Sequence, residues 1–74
     1  MHYINYISID HKKMLGKPCI KGTRITVEQI LRKLSEGMEV KELLETLPSL
    51  KSEDIYAAMA YSADMIKMEE SLAS

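Results

Sequence analysis

Apolar and polar positions follow two rhythms along this chain, and the change between them falls in residues 16–26. Residues 3–9 (Tyr-Ile-Asn-Tyr-Ile-Ser-Ile) are rich in β-branched and aromatic side chains. If extended, they place Tyr3, Asn5, Ile7 and Ile9 on one side and Ile4, Tyr6 and Ser8 on the other. This predicts a strand with apolar groups on both faces. Residues 10–15 read as a polar, basic connection. Residues 18–20 and 23–25 suit only small strands, and Pro18 confines the first to an edge or a strand start.

After residue 26 the period becomes helical. Val27, Ile30, Leu31 and Leu34 recur at the spacing of one helix face; Thr26 has Gln29 at capping-box distance, and Gly37 supplies the stop. Val40, Leu43, Leu44 and Leu47 repeat that spacing up to Pro48, behind Glu39, a poorer cap than Ser or Asp. Ser52 is expected to cap a third helix running from Glu53 to about Glu70, with Glu53 and Asp54 in its first turn, where negative charge suits the helix dipole. Two stripes stand side by side on that helix. Ile55, Met59, Ser62 and Ile66 form one; Tyr56, Ala60, Ala63 and Lys67 form the other. A helix apolar around so much of its circumference needs more than one covering surface. Its outer side, with small Ala and adaptable Met, is the expected subunit contact, for which Tyr3, Tyr6, Tyr56, Met59, Ala60 and Ala63 are the candidate residues.

The expected fold is therefore mainly α, with a three-helix body over residues 26–74 behind a β-strand or hairpin arm over residues 1–25, in a single domain. Seventy-four residues build a small core, burying about 60 % of the surface the unfolded chain exposes. With one cysteine there is no internal disulfide to reinforce it, so self-association is the expected support. The single thiol, the absence of signal-peptide character in the first residues and the lack of a long apolar run point to a cytoplasmic protein with no membrane segment.

Charge is segregated. Residues 1–33 carry seven basic residues against two acidic ones, a net of +5; residues 34–74 carry three against nine, a net of −6. A polyanion should meet the N-terminal half. Lys12, Lys13, Lys17, Lys21 and Arg24 are the candidate nucleic-acid contacts, with a solvated lysine face as the plainer reading. Arg24, between the Gly22 turn and Ile25, is read first as a structural group bonding loop carbonyls and a nearby acid. Cys19 is expected to pack as a small apolar residue, and His2 and His11 lack metal-ligand partners at a recognisable spacing. There is no nucleophile–base pair, phosphate loop or metal motif, so neither an enzyme nor a cofactor is expected.

The string Gly16-Lys17-Pro18-Cys19-Ile20-Lys21-Gly22-Thr23-Arg24-Ile25-Thr26-Val27, then Gly37, then Leu47-Pro48-Ser49-Leu50-Lys51-Ser52-Glu53-Asp54-Ile55, resembles the bacterial and archaeal domain-of-unknown-function family 433 over nearly the whole chain. The resemblance implies a homeodomain-like helix-turn-helix fold preceded by a short β-element, a homodimer, and a role like that of small VapB-type antitoxins found beside a nuclease-like PIN-type toxin. On that basis the expected function is an antitoxin-like protein that binds a PIN-type toxin and represses its own operator DNA; the alternative is a homodimeric interaction module with neither role. Glu39 and Lys51 depart from the family's usual Ser or Thr caps, and Ser52 from its usual Pro. The first turn of the third helix, with Glu53 and Asp54, would repel a phosphate backbone, so a structural three-helix core is expected rather than a major-groove reader.

Overall fold

The computed structural model describes residues 3–73 and is mainly helical, with a short antiparallel hairpin ahead of three helices. Strands β1 (Ile7–Ser8) and β2 (Cys19–Ile20) pair with Ile7 opposite Ile20 and Ser8 opposite Cys19. Helices α1 (Val27–Ser35), α2 (Val40–Thr46) and α3 (Ser52–Ala73) follow. His2 lies outside the described residues.

The expected strand over residues 3–9 is only partly formed. Tyr3–Asn5 is a 3-10 turn, closed by the Tyr6 N–H donating to the Tyr3 carbonyl at 2.8 Å, and extended pairing begins at Ile7. The cause lies far along the chain. The Tyr3 ring meets Tyr61 edge-on at 5.4 Å and its hydroxyl donates to an Asp64 carboxylate oxygen at 2.9 Å, so α3 turns the chain start onto its own surface. That carboxylate raises the Tyr3 phenol above its ordinary value, with desolvation adding to the effect. A raised folded pKa means stabilisation present below the ordinary phenol range and lost as pH rises through the raised value. Protection of the Tyr6 amide, its exchange rate compared with that of an unstructured amide at the same pH, is therefore expected to fall above about pH 10, and Tyr3→Phe should bring that loss of protection to neutral pH while keeping the ring contact.

Residues 21–25 form a turn in place of the expected third small strand. The Thr23 N–H and hydroxyl both donate to the Ile20 carbonyl at 3.0 and 2.9 Å, and the Ile25 N–H donates to the Thr23 hydroxyl at 3.0 Å. Gly22 has φ +80°, as the third position of a type II turn requires. The chain then doubles back beside β2, with Thr26 bridged to Cys19 and the Val27 N–H donating to the Pro18 carbonyl at 2.9 Å.

Helix α1 begins and ends where its sequence predicts. The Gln29 N–H donates to the Thr26 hydroxyl at 3.0 Å. Gly37 has φ +97°, its N–H donates to the Leu34 carbonyl, and the Met38 N–H donates to the Lys33 carbonyl, which together make a Schellman stop. The other two starts are made differently. Glu42 reaches back to accept the Glu39 N–H at 3.3 Å. Asp54, not Ser52, satisfies the start of α3, accepting the Lys51 N–H at 2.9 Å. Ser52 is already helical.

Ile7, Ile20, Val27, Ile30, Leu43, Leu50, Ile55, Ala57 and Ala58 make the core. Cys19 is buried as expected, with its Sγ 3.4 Å from the Lys17 carbonyl. Ala57 and Ala58 are short enough to let neighbouring elements close onto α3. Among the described residues no helix is long and apolar enough to cross a membrane.

Candidate interaction surfaces

Two surfaces of this fold expose what a small protein ordinarily covers. The first is the loop between β1 and β2. Asp10 organises its start, its carboxylate accepting the Lys12 N–H and its carbonyl the Lys13 N–H, both at 2.9 Å. Met14, Leu15 and Gly16 then take three successive left-handed conformations, with φ of 52°, 59° and 79°. Gly16 suits this conformation, and a Cβ there would also crowd His11 Nδ1 at 3.1 Å. Met14 and Leu15 do not suit it, since a left-handed non-glycine residue costs about 1–2 kcal/mol. The strain holds out a Leu15 side chain that is 93 % exposed, with Ile9 and Met14 also exposed nearby in the loop.

Lys12 and Lys17 flank that tip exposed, and Lys13 is half-buried. Lys21 and Arg24 lie beyond the opposite end of the β1–β2 ladder, which is only about 7 Å long. The basic residues thus divide between two neighbouring loops rather than forming one ribbon tip. Lys17 is already engaged, with its Nζ 3.2 Å from a Glu28 carboxylate oxygen; Arg32 approaches the other oxygen at 3.7 Å. Lys17 chiefly, and Arg32 after it, hold the Glu28 carboxyl below the usual carboxylate range. The structural role read for Arg24 is not borne out. Its side chain is exposed and makes no hydrogen bond or ion pair among the described residues, because Thr23 already holds the turn. Beside Lys17 an open groove of about 450 Å³ runs along α1, with Pro18, Val27 and Leu31 supplying apolar lining and Glu28, Arg32 and Ser35 polar groups.

The second surface is the outer face of α3. Its inner face buries Asp54, Ile55, Ala57 and Ala58, with Tyr61, Ser62 and Met65 half-covered. Tyr56, Met59 and Ile66 stand outside at 54 %, 39 % and 56 % exposure, with Ala63 exposed and Ala60 half-buried among them. The fold therefore splits the first of the two expected stripes: Ile55 and Ser62 turn inward, Met59 and Ile66 outward. Tyr3 and Tyr6 are half-buried against their own chain. Glu53 is exposed at the start of α3, and Asp54 is engaged by the Lys51 amide. Among the described residues no three His, Cys, Asp or Glu side chains gather closely enough to hold a metal ion.

Comparison with known proteins adds a family and a fold. Residues 7–62 match the family described as "Protein of unknown function (DUF433)". The chain is also similar to the crystal structure of a DUF433 member protein from Anabaena variabilis, with a TM-score of 0.78 and 30 % sequence identity over 96 % of this chain and 71 % of that one. A search of curated proteins gives no match.

Proposed function

The chain belongs to the DUF433 family, and from that premise we propose that it is an antitoxin-like protein of the VapB kind that binds a PIN-type toxin. The observation that carries the reading is Leu15, held almost fully exposed on a strained left-handed turn between Lys12, Lys13 and Lys17. Backbone strain of this kind clusters at active sites, ligand clamps and switch regions. The chemistry also suits such a partner. Nucleases that use divalent cations bind them through carboxylates, and an acidic site is complemented by exposed cations such as Lys21 and Arg24. The groove beside Lys17 gives an apolar side chain of the partner somewhere to sit. Co-expression with the adjacent gene product and size-exclusion chromatography test the reading. Co-elution of the two chains supports it; separate elution at micromolar concentration sinks it and leaves an interaction module of another kind.

The charge segregation favours a second activity, autorepression through operator DNA. A homeodomain-like use of α3 does not supply its reading head, because the first turn of α3 carries the exposed Glu53 and the internally bonded Asp54. Contact falls instead to Lys12, Lys13, Lys21 and Arg24. Each phosphate contact contributes about 0.9 to the salt slope. Lys12→Ala with Lys13→Ala is then expected to lower the slope for upstream DNA by about 1–2 per bound subunit. Absence of retardation at low salt removes this activity.

A further inference from the structure

We infer that the outer face of α3 is covered by α3 of a second copy of this chain, in antiparallel register about a two-fold axis at the level of Ala60 and Tyr61. The inference goes beyond the toxin reading and does not depend on it. Ser52, Tyr56, Met59, Ala63, Ile66 and Glu70 follow one another at alternating intervals of four and three residues, the seam of a two-stranded coiled coil. The fold leaves the apolar members of this seam uncovered, while the opposite face of α3 is packed into the core.

The seam is self-complementary in one direction only. Laid antiparallel, Tyr56 meets the partner's Ile66 and Met59 meets the partner's Ala63, so that the second layer sets a long flexible side chain against a small one. Each contact is made twice by symmetry, as an isologous interface requires. The half-buried Ala60 falls at the axis, where its short side chain lets the helices approach. Charge agrees with the same register. Along the flank of the seam Glu53 faces the partner's Lys67. A parallel pairing would set Ala63 on Ala63, leaving a gap, and Glu70 on Glu70, which repel. The contact covers residues 52–70, about 27 Å of helix, with four apolar layers.

The test uses the full chain, with mass measured by light scattering after size exclusion across a concentration series and folding followed by circular dichroism. Wild type is expected to pass from monomer to dimer as concentration rises. Ala63→Glu, at an exposed position, should keep the helical spectrum and stay monomeric. Glu53→Lys and Lys67→Glu should each raise the dimer dissociation constant about fivefold at low salt, and the two together should return it close to the wild-type value. Monomeric wild type throughout the series overturns the inference. So does an undiminished dimer in Ala63→Glu, and so does failure of the double charge exchange to restore what the single changes weaken, because only the antiparallel register brings these two residues together.

Discussion

Leu43→Ala is expected to destabilise the fold by about 2–5 kcal/mol, the cost of emptying a fully buried leucine site. The consequence is large because the chain is small. At roughly 0.05–0.15 kcal/mol per residue a domain of this length holds only about 4–11 kcal/mol in total. Leu43 is 0 % exposed and is the buried residue of α2. A helix of two turns does not form by itself, so α2 exists because it packs. Thermal unfolding followed by circular dichroism should show Tm lower by at least about 10 °C. Ile4→Ala, at a residue 71 % exposed, serves as the control and should change little. A Leu43→Ala protein that melts with the wild type would mean that α2 is not held in the core as described.

Leu15→Asn should separate stability from binding. Asn adopts the left-handed region more readily than Leu, so the substitution relieves strain and leaves Tm unchanged or raised by a few degrees. It also removes the exposed apolar tip. Capture of the proposed PIN-type toxin partner is therefore expected to weaken by about tenfold or more, measured by titration of the purified proteins. Leu15→Met keeps both the apolar contact and the strain, and should bind as wild type does. Wild-type affinity in Leu15→Asn would remove this tip from the proposed interface; a lower Tm would show that Leu15 supports the fold.

These expectations differ in how much of each could be read before the fold was known. The capping of α1 by Thr26 and its stop at Gly37 were legible because both act through backbone atoms within a few residues. The starts of α2 and α3 were less so. There the cap comes from the acid three residues into the helix, Glu42 or Asp54, and the identity of the first residue says little. The Leu15 tip was not legible as a site. A leucine in a basic loop has no sequence signature of left-handed backbone, and only the run of positive φ from Met14 to Gly16 sets it apart. Arg24 was read as structural from its place between the Gly22 turn and Ile25, a position that also holds Thr23, and it is the Thr23 amide and hydroxyl that bond the turn.

By itself the sequence determined the helical body, its three-helix order, the small-strand region ahead of it and the segregation of charge, since these rest on local periodicity, turn residues and residue counts. It also carried the string that marks the family. Tertiary structure decided which way the chain start and α3 face. Tyr3 leaves the strand because Tyr61 and Asp64, about sixty residues away, hold it. And on a helix apolar nearly all round, no periodicity can choose an inner side. The hairpin, α1 and α2 made that choice by covering Ile55, Ala57 and Ala58, which left Tyr56, Met59, Ala63 and Ile66 outside.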